Sequence, residues 1–317
     1  MPRTSVIMPC FNHGRFVSDS ARSVLDQTDE DLELIVVDDC SSDDSWEVIQ
    51  RIARADRRVK PIRHEHNLGA SRSRNDGLRT ADGEFVAFCD ADDAWERTKL
   101  EIQLLLLRKH PDYAVTYCDT AIIDGNGSFS GARFSDRYPL PKHASGSLFN
   151  ELLPQNFINI TSVLARRDSL PSLDWFDEQI QWVEDWWCWI RLSRDHRFLY
   201  SPLPLARYRV HSDSTNVVQK RGAGKNRTKV FCRILRHYPD LTPSTRAEIL
   251  RNIGGELCDL DWRHAGQNFL RQALILSLRD FRGAGVAGRS LYRLLSFPRL
   301  QATAYLVSLT RRRGDIA

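Results

Sequence analysis

The 317-residue sequence has no run approaching the ~18 consecutive apolar residues of a membrane-spanning helix, so an integral membrane protein is not expected. Met1 to Phe11 contain no apolar stretch of signal-peptide length. Cysteine is sparse and unpatterned: seven residues, at 10, 40, 89, 118, 188, 232 and 258, with no Cys-x-x-Cys pair. An odd, scattered set argues against a disulfide framework and for a reduced cytoplasmic chain with mostly buried thiols. Several catalytic signatures are missing too. The turn Pro9-Cys10-Phe11-Asn12-His13-Gly14 has one glycine and no G-x-G-x-x-G, which speaks against a dinucleotide site. There is no Walker lysine loop, no G-x-S-x-G elbow and no H-E-x-x-H. Net charge is only +4 but unevenly placed. Residues 1–224 hold 28 Lys/Arg against 34 Asp/Glu, and residues 225–317 hold 17 against 7. An acidic front joined to a basic tail suggests different partners for each part.

What is present alternates. Residues 5–8, 32–37, 85–89 and 114–118 are short apolar runs, the type expected of strands buried on both faces. Between them, residues 42–55, 70–80 and 97–109 read as helices, the first with Trp46, Ile49 and Ile52 on one face and the last with Leu100, Leu104 and Leu107. The expected fold class is α/β, a doubly wound, mostly parallel, Rossmann-like sheet followed by a C-terminal helical region. Residues 119–150, rich in Gly, Ser and Pro, read as a long surface excursion. Further on, 160–165 reads as a strand, 182–194 as a helix, and 198–200 and 206–210 as short strands. Residues 219–226, with Gly222 and Gly224 among Lys220, Arg221 and Lys225, have the composition of a mobile linker. Beyond it, 230–237, 245–260, 264–278 and 288–295 read as helices, with 249–278 fitting one helical hairpin of tetratricopeptide type.

In open α/β sheets, ligands bind beyond the carboxyl ends of the strands. Here the second strand ends in Asp38-Asp39-Cys40-Ser41-Ser42-Asp43-Asp44, and the 85–89 strand in Asp90-Ala91-Asp92-Asp93. Helix capping accounts for Ser42 or Asp43 but not for Asp38 and Asp39, which precede the cap. Clustered carboxylates repel one another, and a divalent cation relieves this. Oxygen ligands suit Mg²⁺ or Mn²⁺, with phosphate oxygens completing the shell.

At these residues the sequence resembles inverting glycosyltransferases of family 2, with the GT-A fold. The resemblance runs in order over residues 4–216: Ser5-Val6-Ile7-Met8-Pro9-Cys10-Phe11-Asn12, the Asp38-Asp39 pair, Asn67-Leu68-Gly69-Ala70 with Arg74-Asn75-Asp76-Gly77 and Ala81-Asp82-Gly83, the DxD element Asp90-Ala91-Asp92-Asp93, Glu184-Asp185-Trp186, and Tyr208-Arg209-Val210-His211. Two positions depart from the family's usual pattern, Phe11 standing for Tyr and Cys40 for Gly.

The resemblance implies transfer of a sugar from a nucleotide-diphosphate donor to an acceptor hydroxyl, with inversion. It divides the chain into a catalytic domain, 1–224, and a basic helical region, 225–317. The nucleotide-sugar-binding half is 1–118 and the acceptor half 119–224. Mn²⁺ or Mg²⁺ is the implied cofactor, with Asp92 the principal ligand, His211 a second contact to the metal or diphosphate, and Asp93 a further candidate. Asp90 is implied as ribose or outer partner, Asp39 as the reader of a uracil or thymine N–H with Asp38 assisting. Pro9 and Phe11 would line the base pocket, and Arg74 would approach the base or diphosphate. Asp185 is the implied catalytic base. A helical wheel agrees: Trp182, Trp186 and Trp189 share one face, Asp185 borders it, and Glu184 points away. The tryptophan stripe reads as core. Trp187, off the stripe, and Glu184 are the acceptor-binding candidates. The remaining histidines, His13 and His64 among them, receive no role.

The basic tail carries Arg289, Arg293, Arg299 and Arg311-Arg312-Arg313 beside Leu291, Leu294, Leu295 and Phe297. It reads as an anionic-lipid surface near a lipid-linked acceptor, as a hairpin packing on the catalytic domain or a second subunit, or as a solvated face. The expected location is cytoplasmic, peripheral on the inner membrane face if the first reading holds. Nucleic acid is not an expected partner, since no recognised binding module is present. Two other classes stay open: a non-catalytic scaffold of the same fold, and a sugar-1-phosphate nucleotidyltransferase, whose glycine-rich, lysine-containing opening is missing.

Overall fold

The computed structural model describes residues 3–170, 175–212, 214, 220–260 and 262–279. The chain divides into two compact units, Met1–Val218 and Gln219–Ala317.

The first unit is built on one nine-stranded sheet. Strands β1 (Thr4–Cys10), β2 (Leu32–Asp38), β3 (Val59–Arg63) and β4 (Phe85–Phe88) run parallel in the spatial order β3-β2-β1-β4. The second half is mixed: β5 (Ala94–Trp95), β6 (Tyr113–Ile123), β7 (Phe129–Arg133), β8 (Leu164–Arg166) and β9 (Arg197–Arg209) extend the order as β8-β6-β9-β5, with β7 beside β6. There β8 is antiparallel to both β4 and β6, β5 is antiparallel to β9, and β6 and β9 are parallel.

Every residue of β2 and β4 is buried, which explains the all-apolar sequence of β4 and the Leu34–Val37 run of β2; the buried Glu33 of β2 is paired with Ser5 and Lys60. Val6, Met8, Leu34 and Val36 pack with Val17, Ala21 and Val24 of α1 (Gly14–Leu25), Ile49 of α2 (Ser45–Ala55), and Leu100 and Leu104. Ile35 and Val37 form a smaller cluster with Ala81, which follows α3 (Ala70–Thr80). Leu100 and Leu104 belong to α4 (Lys99–Lys109). The helix α3 lies so close to β1 that a Cβ on Gly77 would sit 2.6 Å from Ile7 Cγ2, so only glycine fits there without displacing the strand.

Several sequence expectations shift. The strand read at 114–118 extends through Ile123 and pairs with β7, so part of the 119–150 excursion is a hairpin. Two short helices, α5 (Phe134–Arg137) and α6 (Phe149–Leu152), flank an irregular stretch over 138–148. Residues 160–165 begin as a single 3₁₀ turn, because Asn159 accepts from the Thr161 amide, and become strand only at Leu164. The two strands read at 198–200 and 206–210 are one irregular strand, β9. Helix α7 spans Glu184–Asp195, and Trp182 precedes it with φ +65°.

In the second unit, α8 (Lys220–His237), α9 (Pro243–Asp259) and α10 (Arg263–Arg279) follow one another. Helix α8 includes most of the stretch read as a linker. Two interior glycines cost a helix about 1 kcal/mol each. Burial of Val230, Phe231 and Ile234 and a two-pronged Arg227–Glu256 pair at 2.7 and 2.9 Å offset that cost. Helices α9 and α10 form the expected hairpin, with Ile253, Leu257, Ala265 and Leu270 buried. The 288–295 helix and the arginine-rich tail lie outside the described residues.

Five of the cysteines, Cys10, Cys89, Cys118, Cys188 and Cys258, are buried, and all seven are free thiols. Among the described residues, no helix is long and apolar enough to cross a membrane.

Candidate active site

The carboxyl ends of β1, β2 and β4 bring residues 11–14, 38–45 and 89–93 to one sheet edge, and their carboxylates meet different surroundings. Asp38 is fully buried, accepts from the Ser41 amide at 3.2 Å, and pairs with Arg63 Nε at 3.5 Å. It shapes the turn and presents no surface to a donor, which corrects its expected assisting role. Asp39 is also buried. Its oxygens accept from the Leu68 and Gly69 amides at 2.8 and 2.7 Å, and Oδ1 lies 2.8 Å from His64 Nδ1. Asp39 therefore joins β2 to the amino end of α3, where a negative charge is favoured. A carboxylate offers about four acceptor positions, so one remains, on Oδ2. His64 bridges to Asp76 through Nε2 at 3.1 Å, a link the sequence reading missed. Nothing in the sequence around His64 signals it, because the bridge depends on β3 ending beside β2. Phe11, 43% exposed, and half-buried Pro9 stand on the open side of the same edge.

Asp43 accepts from the Gly14 amide at 2.9 Å and from Ser45, so its pKa stays below the ordinary carboxyl value although loss of solvation opposes this. That confirms a local, helix-start role for this residue.

In the second cluster, Asp90 accepts from Arg74 Nη2 at 2.7 Å. Arg74 Nη1 donates to Glu184, and the guanidinium lies 5.5 Å from the Phe176 ring centre. Loss of solvation opposes the arginine's charge, but Asp90 and Glu184 outweigh it and raise its pKa. Arg74 is only 4% exposed, so it organises Asp90 and Glu184 instead of approaching base or diphosphate as expected. Asp93 is also buried, and its Oδ1 accepts the Arg209 amide at 3.0 Å. Loss of solvation, then the charges of Asp92 and Asp90, raise its pKa well above the ordinary value. Asp93 is thus a structural carboxyl and drops out as a metal ligand.

Asp92 remains partly accessible, with Oδ2 3.1 Å from His211 Nε2. Burial would raise its pKa, but the His211 hydrogen bond and the charges of His13 and His211 lower it. His13, Asp92 and His211 each offer a ligand atom, all within 4.8 Å of one another. A carboxylate and two imidazoles at this spacing fit a divalent cation. The donor set adds a second imidazole to the Asp92 and His211 expected; His13 was missed because its partners are 79 and 198 positions away in the sequence.

Asp185, in the first turn of α7, is half-buried. Its Oδ2 accepts from Asn156 Nδ2 at 3.1 Å. Its pKa is pushed up to about 7, first by loss of solvation and then by the adjacent Glu184 charge. The wheel that singled it out needs correction, since Trp182 is not in the helix and is 37% exposed. Glu184, expected to point away, is buried against Arg74, which removes it as an acceptor contact. Trp187 is 3% exposed and cannot serve as a sugar platform. Trp186 and Trp189 are core, as expected: Trp186 Nε1 donates to Leu152 O at 2.7 Å and Trp189 packs on Phe88 and Trp175.

This sheet, with its acidic strand ends gathered at one edge and a carboxylate-bearing helix beside them, has the architecture of GT-A-type glycosyltransferases. The S. aureus TarS 1–349 structure in complex with UDP-GlcNAc superposes with a TM-score of 0.65 at 18% identity, covering 95% of each chain. The mannosyltransferase PcManGT from Pyrobaculum calidifontis, in complex with GDP-Man and Mn²⁺, gives 0.60 at 17% identity, covering 93% of this chain and 87% of that one. Residues 5–170 match the family model for Glycosyl transferase family 2. TuaG of Bacillus subtilis, assigned as a teichuronic acid biosynthesis glycosyltransferase, is 30% identical over 228 residues, 71% of this chain and 85% of its own. WfgD of Escherichia coli, a UDP-Glc:alpha-D-GlcNAc-diphosphoundecaprenol beta-1,3-glucosyltransferase, is 33% identical over 193 residues, 61% of this chain and 70% of its own. The chain belongs to glycosyl transferase family 2.

Proposed function

We propose that this chain is an inverting glycosyltransferase of surface polysaccharide synthesis. It moves a sugar from a nucleotide-diphosphate donor, UDP- or dTDP-linked, to a hydroxyl of a glycan or lipid-linked glycan. The observation that carries this reading is the Glu184–Arg74–Asp90 chain, centred on the buried Arg74, which ties the start of α7, and with it Asp185, to the carboxyl edge of β4. The diphosphoundecaprenol-linked acceptor of WfgD supports a diphospholipid-linked substrate. The UDP complex of TarS and the GDP-Man complex of PcManGT show that this fold accommodates either base. The uracil or thymine preference therefore rests on the acceptor position left on Asp39, which suits a ring N–H.

Asp92 and His211 would hold the divalent cation, which when bound offsets the charge of the departing diphosphate. Phe11 and Pro9 would flank the base. Asp185 would orient the acceptor hydroxyl and take its proton; a carboxyl poised near pH 7 is matched to that transfer. One carboxylate at the acceptor side serves a single displacement, which inverts the anomeric centre.

The test is Asp185→Asn. Transfer should fall roughly 10²–10⁴-fold, the usual contribution of a general base, with donor and Mn²⁺ binding retained. The product of the wild-type protein should carry inverted configuration by NMR. Near-normal transfer by the variant, or a retained configuration, would overturn the reading. Failure of the wild-type chain to release nucleoside diphosphate with any donor and cation would favour the non-catalytic scaffold.

A further inference from the structure

His13 was unremarkable in the sequence, yet the fold fixes it more firmly than most loop residues. Its own amide donates to Ser45 Oγ at 2.9 Å. The preceding Asn12, at φ +57°, donates its amide to Ser41 Oγ at 3.0 Å and accepts from the Ser42 amide at 2.8 Å. The following Gly14 donates to Asp43 Oδ2 at 2.9 Å, and a Cβ there would fall 1.9 Å from Asp44 Oδ1. Three consecutive backbone positions are thus clamped by the turn 41–45. Asp43, read in the sequence as a helix-start residue, holds this loop.

The clamp aims the imidazole at the cation cluster. The ring stands edge-on to His211, centroids 5.9 Å apart, and Phe16 packs beside both rings at 6.4 and 4.7 Å. Arg209 covers the Phe16 ring at 5.1 Å, and its Nε donates to the Asp92 carbonyl at 2.6 Å. His13, His211 and the Asp92 carboxylate are each half-buried and supplied by three separate segments.

We propose that His13 is the third protein ligand of the cation held at Asp92 and His211, and that its imidazole makes the site select Mn²⁺ over Mg²⁺. This rests on the reading of Asp92 and His211 as the donor's cation site. The chemistry is that of the donor set. Mg²⁺ takes oxygen ligands in near-ideal octahedra and keeps its waters, whereas softer first-row ions accept imidazole nitrogen readily. Two imidazoles and one carboxylate leave about half of a six-coordinate shell for diphosphate oxygens and water.

The experiment is Mn²⁺ and Mg²⁺ titration of the full chain without nucleotide. Bound Mn²⁺ is read by EPR and its coordinated nitrogens by pulsed EPR, for the wild type, His13→Ala, His13→Gln and Asp92→Asn. The wild type should show two coupled imidazole nitrogens. Both His13 variants should show one, with Mn²⁺ affinity lower by roughly 10–100-fold and Mg²⁺ affinity changed much less. Asp92→Asn should lose most binding of both ions. Unchanged Mn²⁺ affinity and two nitrogens in a folded His13 variant would overturn the proposal while leaving the Asp92 site standing. Undiminished Mn²⁺ binding in Asp92→Asn would instead overturn the cation site itself.

Discussion

The acidic stretches 38–44 and 90–93 leave the same sheet edge with the same kind of side chain, and the fold treats them differently. In the first, Asp43 is spent on the Gly14 and Ser45 amides and Asp38 is enclosed beneath its turn, while Asp39, tied to two amides, keeps one acceptor position. In the second, Asp93 is consumed in the same way, but Asp90 and Asp92 stay partly accessible and face cationic or titratable partners from distant segments. An acidic cluster at a strand end therefore mixes scaffold and chemistry residue by residue. What separates them is the supply of nearby N–H donors: a carboxylate that satisfies itself on fixed amides has little left to offer a ligand.

The largest effect that sharpens this contrast is on rate. With Asp185 ionising near 7, transfer should climb with pH through about that value, and the limb should vanish in Asp185→Asn. Because its folded pKa lies above the ordinary carboxyl value, the protonated form stabilises the fold at low pH and that contribution is lost as pH rises through about 7. Asp185→Asn should consequently melt higher than the wild type at pH 8, with the difference shrinking as pH falls and vanishing only below about pH 4, where the unfolded carboxyl is protonated too. A rate profile flat between pH 5 and 8 would remove Asp185 from the base role.

Next in size are the scaffold acids. Glu184→Gln leaves the buried Arg74 short of a counter-charge and should cost roughly 2–4 kcal/mol by urea unfolding, against the mild effect a helical wheel suggests. Asp39→Asn exchanges a carboxylate bound to two amides for a group with a single acceptor oxygen, costing about 1.5–3 kcal/mol and weakening donor binding. If the Asp39 variant is as stable as the wild type yet loses donor, Asp39 belongs with the chemical acids. The smallest effect should be Asp92→Asn on apo stability, about 1 kcal/mol, since asparagine keeps an acceptor oxygen for His211. A much larger loss would place Asp92 in the scaffold and erase the contrast between the two stretches.

How much of this was legible in the sequence follows from range. The runs at 5–8, 32–37 and 85–89 match β1, β2 and β4 to within a few residues, because strands buried on both faces are built mostly of apolar side chains. The 219–226 stretch misled, since glycine and lysine content measures local helix cost and is blind to a cross-helix pair such as Arg227–Glu256. The Trp182 wheel misled for a related reason: hydrophobic spacing does not reveal that Trp182 lies at positive φ ahead of the helix. Trp187 shows the converse, a residue off the stripe that packing on the opposite side still buried.

Sequence alone determined the alternation of strands and helices, the edge to which the acids go, and the family order of motifs, because each is written in short contiguous segments. Tertiary structure alone decided which acids keep free oxygens, that Arg74 braces Asp90 and Glu184, that Asp185 sits at a helix start with a raised pKa, and that His13 meets Asp92 and His211. The physical reason is that charge and hydrogen bonding depend on what approaches within a few ångströms. For these side chains the approaching groups come from tens to hundreds of residues away.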